Sequence, residues 1–389
     1  MKKICVITGS RADYGLLKGV MNLIKKSVNL DLKIIATGAH CEKKFGYTYK
    51  EIVSDNFSID KKIVWNFDKD SSKNISESAS FAMKKYSDYF LELKPDLILL
   101  LGDRYEIFIA AVVATFYRIP LAHIHGGEVT EGSYDESMRH SITKMAHLHF
   151  VANEEYRKRV IQLGEHPKSV FNVGGLGIDA ISKLKCLSRE DLEKEINFKF
   201  LKKNYIITYN PVTLEPNSAK KQINELLKAI GELKNTGLIF TMPNADNENS
   251  LVSKAIQDFC KTRKYAKFYT SLGQLRYISA IKQSDGVIGN SSSGLLEVPF
   301  LMKGTINIGI RQKGRSRSLS IIDCDPNKAS IQLAIQKLHS RSFLMQIKNQ
   351  KSIFGKPGAS KNIIKIIHKE INSIKLVKSF YNLNFDYSE

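Results

Sequence analysis

The stretch AHIHGGEVTEGSYDESMRHSITKMAHLHF, residues 122–150, holds His123, His125, His140, His147 and His149, and with His166 these are six of the nine histidines in the chain. Glu128, Asp135 and Glu136 are interleaved with them, following a double-glycine turn. Imidazoles change charge near neutral pH and carboxylates below it, so a set of this kind suits proton transfer at a carbon or oxygen. His125, Glu128 and Asp135 are the candidates for that work, with Arg139 and His140 near the start of the helix that ESMRHSITK predicts. For any lone histidine a satisfied structural hydrogen bond is the commoner role; the density of the cluster is what favours function. No metal is expected. Cys5, Cys41, Cys186, Cys260 and Cys324 are scattered with no C-x-x-C pair, and the two H-x-H pairs are read as proton-handling groups.

Three other segments place polar side chains where an apolar run ends. LLLGDRYE at 99–106 delivers Asp103 and Arg104, readable equally as a tuned carboxylate with a cation for phosphate or as an ion pair closing a loop. TGSRADYG at 8–15 sets Arg11 at a helix start, suited to an anion although it lacks the G-x-G-x-x-G spacing of a dinucleotide loop. DGVIGNSSSGLLEVP at 285–299 follows a strand with Gly-Asn-Ser-Ser-Ser-Gly and then a helix carrying Glu297. Hydroxyls and free N–H groups at Ser291 and Ser292 suit a phosphate, and Glu297 suits ribose hydroxyls. The run RQKGRSRS at 311–318 adds four cations, Arg311 among them, of a kind that grips phosphate.

These loops need elements to hold them. Short β-branched runs closed by Gly, Asn or Asp recur at 3–10, 32–38, 95–103, 119–127, 148–155 and 170–175, and again at 204–211, 237–246, 266–271, 285–294, 304–312 and 318–325. Between them lie segments of helical spacing such as Leu16, Leu17, Val20, Leu23 and Ile24. That alternation predicts an α/β protein of two doubly wound parallel sheets, whose ligands lie beyond the carboxyl ends of the strands. The expected domains are 1–180 and 181–361, with a C-terminal helix at 362–389 packing back on the first. A chain of 389 residues with 43% hydrophobic and 25% charged residues accommodates both. The longest aliphatic run, Leu97 to Leu101, is far short of the ~20 residues that cross a bilayer, and Ile4 to Ile7 is too short for a secretory core, so a cytoplasmic protein without membrane attachment is expected. The net charge of +20, from 59 basic minus 39 acidic residues, comes from lysines dispersed along the chain, and no nucleic-acid partner is expected.

TGSRADYG, LGDRYE, HIHGGE, RHSITK, RVIQLGE, PVTLE, PNAD, GNSSSG and INIGIRQKGR occur in one order, and together they resemble the hydrolysing UDP-N-acetylglucosamine 2-epimerases over about residues 3 to 325. The resemblance implies two Rossmann-like domains, GT-B-like, with a UDP-sugar in the active-site cleft between them. It implies removal of the sugar C2 proton, elimination of UDP to a 2-acetamidoglucal, and hydration to N-acetylmannosamine for sialic acid synthesis, without a cofactor. By position it makes Asp103 and Asp135 the catalytic carboxylates, and the acid/base role at His125 either passes to its imidazole or moves to Glu128. Substrate contacts fall on Arg11, Ala12, Arg104, His140, Asn210, Asn244, Ser291, Ser292, Glu297 and Arg311. Relatives usually carry Glu at the position of His125 and His at that of Asn210. A sister branch takes UDP-N,N'-diacetylbacillosamine for legionaminic acid, and a glycosyltransferase of the same architecture is the further alternative. A homodimer or homotetramer is expected of the family.

Overall fold

Each of the apolar runs forms a parallel strand, because both faces of a parallel sheet are covered by helices and only near-continuous Val, Ile and Leu satisfies both. The computed structural model describes residues 1–65, 71–131, 134–212, 215–243, 248–350 and 352–384. It divides into two units, one of Met1–Glu128, Asp135–Ala180 and Phe354–Glu389, the other of Val129–Tyr134 and Ile181–Ile353.

The first unit has seven strands: β1 (Lys2–Thr8), β2 (Leu30–Thr37), β3 (Lys61–Ile63), β4 (Leu97–Leu101), β5 (Leu121–Ile124), β6 (Leu148–Val151) and β7 (Val170–Asn172), in the order β3-β2-β1-β4-β5-β6-β7. The second has β8 (Lys203–Thr208), β9 (Thr236–Thr241), β10 (Ala266–Tyr269), β11 (Gly286–Gly289), β12 (Gly304–Ile308) and β13 (Ile321–Cys324), in the order β10-β9-β8-β11-β12-β13. Strand order reverses direction between β1 and β4 in one sheet and between β8 and β11 in the other. At such switch points the following loops splay apart and open a crevice beyond the strand ends. TGSRADYG follows β1 and LGDRYE follows β4; Asn210 follows β8 and GNSSSG follows β11.

In the first unit Leu17, Val20, Met21 and Ile24 of the helix Arg11–Lys25 pack with Ile363 and Ile367 of the helix Ala359–Glu370 over Ile4, Val6, Leu97 and Leu99. Fully burying a side chain of this size contributes about 1.5–3 kcal/mol, which is what fixes these helices to the sheet. Asp179 caps the returning helix by accepting from the N–H groups of Gly358 and of Ser360, the latter at 2.8 Å. In the second unit Ile223, Leu226, Ile230, Ile256 and Ile331 cover Ile207, Phe240, Ile288 and Ile306.

The structure departs from the sequence reading in three places. The three-residue β3, with two lysines at its start, is an edge strand too short to show a pattern. The chain re-enters the first unit at Phe354 rather than 362, and Val129–Tyr134 joins the second unit, where the Glu131 N–H donates to the Lys313 carbonyl at 3.0 Å and the Lys313 ammonium pairs with Glu131 at 2.8 Å. The C-terminal helix ends at Glu370, and residues 375–384 run on without helix or strand. No described helix is long and apolar enough to cross a membrane.

Candidate active site

The carboxyl ends of β4 and β5 and the helix Asp135–Met145 bring the proton-transfer candidates of the first unit together. Beyond β4, Gly102 turns the chain at φ +79°, Asp103 follows, and Arg104 leads into the helix Tyr105–Phe116. Beyond β5 the chain turns at His125, which takes the left-handed φ of +65°, rare for a residue with a Cβ and a mark of a position held by its surroundings. His123 and His125 would otherwise share a face, since side chains two apart on a strand do. The turn sends the His125 ring to the Glu128 carboxylate, Nδ1 to Oε1 at 3.3 Å, with both residues buried. Gly127, at φ +77°, leaves no room for a side chain, as a Cβ there would stand 2.4 Å from the Tyr156 carbonyl.

Arg139, one of the largest wholly buried side chains, organises the cluster. Its guanidinium contacts the Asp103 carboxylate, donates to Glu136 Oε2 at 2.9 Å and donates to the Glu128 carbonyl at 2.8 Å. Glu136 in turn bonds His140 through Oε1 at 2.9 Å. Asp135 lies in the first turn of the same helix, partly exposed. One buried cation thus joins three strand-end and helix segments, and its rigid fork suits that task better than a lysine ammonium would.

Four of the six clustered histidines are structural. His147 accepts from the Leu121 N–H at 3.2 Å, and His166 accepts from the Lys168 N–H at 3.1 Å. His149 donates to Glu165 at 2.9 Å. His123 donates from Nε2 to the Gly102 carbonyl at 2.8 Å, and burial pushes its pKa down to about 3, so it stays neutral. Of the six, His125 and His140 face the carboxylates around Arg139, Glu128 and Glu136.

In the first unit the two arginines expected on phosphate each hold a carboxylate. Arg11 pairs with Glu51 at 3.0 Å, beside an exposed Ala12, and Arg104 makes a forked contact with Glu106 at 3.2–3.3 Å. Glu106 is wholly buried; burial raises its carboxyl above the usual range, Arg104 opposes this, and nearby Asp13 adds to it.

In the second unit Asn210 and Asn290 clasp across the β8/β11 switch point. The Asn210 N–H donates to Asn290 Oδ1 at 2.7 Å and Asn290 Nδ2 donates back to the Asn210 carbonyl at 2.8 Å. The Asn210 backbone thus holds the serine loop from a buried position. The Gln312 amide donates to the Asn290 carbonyl at 2.9 Å, and the buried Arg311 is the residue before Gln312. Ser291 and Ser292 are partly exposed, and the helix after them spans only Ser293–Leu296, shorter than expected, so hydroxyls rather than a long helix dipole face any anion. Glu297 bonds the Ser293 hydroxyl, and burial raises its carboxyl pKa. Tyr277, whose hydroxyl pKa burial pushes up to about 12, bonds Ser293 and Thr208. Of the four cations at 311–318, Lys313 holds Glu131 and Arg317 holds Asp323 at 3.0 Å. Asn244 lies outside the described residues. No group of three or more His, Cys, Asp or Glu side chains is arranged to hold a metal among the described residues.

Glu106 and Tyr277 carry no signal in the sequence, while Glu136 stands among the interleaved carboxylates there without a role of its own and Arg139 without a partner. The i, i+3 spacing of Glu136 and Arg139 was a usable signal; the contact of Arg139 with Asp103, 36 residues away, was not.

A family model described as UDP-N-acetylglucosamine 2-epimerase matches residues 22–368. The chain belongs to that family. It is accordingly an enzyme, a hydrolysing 2-epimerase of nucleotide sugars. It is 43% identical to the GDP/UDP-N,N'-diacetylbacillosamine 2-epimerase (hydrolyzing) of Campylobacter jejuni, covering 98% of this chain and 99% of that one. It is 41% identical to the polysialic acid biosynthesis protein P7 of Escherichia coli, covering 98% of each. The solved UDP-GlcNAc 2-epimerase of Neisseria meningitidis bound to UDP-GlcNAc superposes with a TM-score of 0.80 at 19% identity, over 95% of this chain and all of that one, a likeness of fold. Two parallel-sheet α/β units are what the strand runs predicted, and the GT-B-like fold is what the resemblance implied.

Proposed function

We propose that the chain epimerises UDP-N-acetylglucosamine with loss of UDP, giving N-acetylmannosamine for sialic acid synthesis. The observation that carries the chemistry is the convergence of Asp103, the His125–Glu128 pair and Glu136 on the buried Arg139, with Asp135 on the same helix turn. The C2–H bond breaks as a carboxylate takes the proton, C1=C2 forms, and the C1–O bond breaks with its electron pair leaving on UDP. Water then adds at C1 of the 2-acetamidoglucal while C2 takes a proton on the opposite face. Two faces need two groups. Asp103, in charge-assisted contact with Arg139, presents the anion a base requires. Asp135 serves on the other face, and the His125–Glu128 pair carries the proton that relatives handle with a glutamate. In the second unit Ser291, Ser292 and Arg311 would hold the diphosphate, Glu297 the ribose, and Asn244 the surrounding loop. Arg11, Ala12, Arg104 and His140 complete the contacts in the first unit. The enzyme would act as a cytoplasmic homo-oligomer.

The likeness to the P7 protein supports this sugar. The 43% identity to the Campylobacter enzyme favours a second reading, UDP-N,N'-diacetylbacillosamine on the way to legionaminic acid, differing only around C4 and C6 of the sugar. Incubating the purified enzyme with each nucleotide sugar separately and comparing kcat/KM for UDP release decides between them. A ratio of at least about 10² for UDP-N-acetylglucosamine supports the first reading, since a site built for one pattern of polar groups rejects the other by that much or more. The reverse ratio supports the second.

A further inference from the structure

Beyond the C-terminal helix, residues 374–381 cross the first unit and bind where its active-site elements end. The Lys378 ammonium donates to the carbonyls of Lys144, at 2.7 Å, and of Ala146, and pairs with Glu165 Oε2 at 2.8 Å. The Tyr381 N–H donates to the Gly164 carbonyl at 2.9 Å, and its ring meets His166 edge-on at 5.2 Å. Phe380 lies over Gly164, where no side chain could fit beneath it, and under the Lys144 ammonium at 4.9 Å. The Leu376 backbone bonds His147.

Two paths lead from Lys378 to the catalytic carboxylates. Lys144 and Ala146 close the helix Asp135–Met145, so the ammonium caps the carboxyl end of the helix whose first turns carry Asp135, Glu136 and Arg139. Glu165 holds the buried His149, and His149 is the register partner of His123 on β5, whose Nε2 fixes the carbonyl of Gly102 immediately before Asp103.

We propose that the C-terminal strap, through Lys378, is a positioning element for the active site, holding the helix Asp135–Met145 and the Gly102–Asp103 turn in register with each other. Lys378 touches no reacting atom; it acts through Arg139 and His123. The proposal rests on the catalytic assignment of Asp103 and Asp135 made above.

The titratable groups facing His149 are Glu165 from the loop after β6 and its helix, Lys144 from the helix Asp135–Met145, Lys378 from the strap, His147 just before β6 and His123 on β5. Burial lowers the His149 pKa, Glu165 opposes this, and Lys378 and Lys144 lower it further. Removing the Lys378 cation therefore brings protonation of His149 to higher pH, next to the ring that holds Gly102.

The test compares the full-length parent with Lys378→Met and Lys378→Arg, measuring UDP release against pH and, independently of activity, amide exchange of the peptides covering 97–106 and 135–146. In Lys378→Met, kcat is expected to fall about tenfold with KM within about twofold, as for loss of orientation rather than of binding. Its acid limb should move to higher pH, and both peptides should exchange faster while the peptide over β9 does not. Lys378→Arg should recover the parent's values. Parent-like kcat, pH profile and exchange in a folded Lys378→Met would overturn the proposal, and so would a uniform rise in exchange across the chain that arginine does not reverse. If the parent itself releases no UDP, the functional reading fails, and the exchange data alone decide the coupling.

Discussion

Arg139 shows how one residue settles the chemistry of a site. A guanidinium wholly removed from water is costly unless its donors are matched, and here they meet Asp103, Glu136 and the Glu128 carbonyl. Asp103→Asn keeps the shape and removes the base; its kcat should fall by about 10² or more with KM little changed, and steady-state UDP release would show it. A near-normal rate would remove Asp103 from the chemistry. Arg139→Met strips the cation from two partly buried carboxylates, and should lower unfolding free energy by roughly 2 kcal/mol in urea as well as reducing kcat, less than for a fully buried pair because solvent screens both partners. Asp103 and its neighbours at the strand end were legible in the sequence because they follow an apolar run that reads as a strand. Their partners were not, since Asp103 and Arg139 meet only when β4 and the helix after β5 are laid side by side. At Asn210 the clasp is made by the backbone, whose N–H and carbonyl meet the Asn290 amide, while its own Nδ2 lies 3.4 Å from Asn290 Oδ1.

Among the elements, long apolar runs were readable as strands and the reversal of strand order followed once pairing was known. What escaped was short or irregular. β3 has three residues, Val129–Tyr134 has no periodicity to reveal that it joins the second unit, and the strap after Glu370 is β-branched and asparagine-containing, with its contacts supplied by distant side chains. Gly289 marks how closely β11 and β8 approach beneath the Asn210–Asn290 clasp: it sits at φ +139°, and a Cβ there would stand 1.9 Å from the Thr208 carbonyl. Gly289→Ala should cost at least about 2 kcal/mol, through backbone strain and a steric contact that strand separation alone relieves. Thermal denaturation would register this as a clear fall in Tm. An unchanged Tm would mean that the two strands part easily and that the clasp does not hold the serine loop.

At the scale of the whole molecule, buried histidines tie stability to pH. Burial lowers His123 to about 3 and His40 to about 4 from an ordinary 6.5. Both stay neutral in the folded chain while the unfolded chain takes up protons below 6.5, so stability falls as pH drops from 6.5 towards those values. Glu165 acts in a lower window: burial alone would raise it, but His149, Lys144 and Lys378 hold it at about 2, so its contribution is present above 4.5 and lost only as pH falls towards 2. Urea midpoints should therefore decline between pH 7 and pH 5; a flat profile would show that these rings reach solvent.

The Arg139 cluster is proposed to exchange the sugar C2 proton while UDP departs. Proton NMR of the enzyme with UDP-N-acetylglucosamine in deuterated water tests it most directly. The account predicts free UDP together with N-acetylmannosamine carrying deuterium at C2. UDP released with a sugar that keeps its original C2 proton would contradict it.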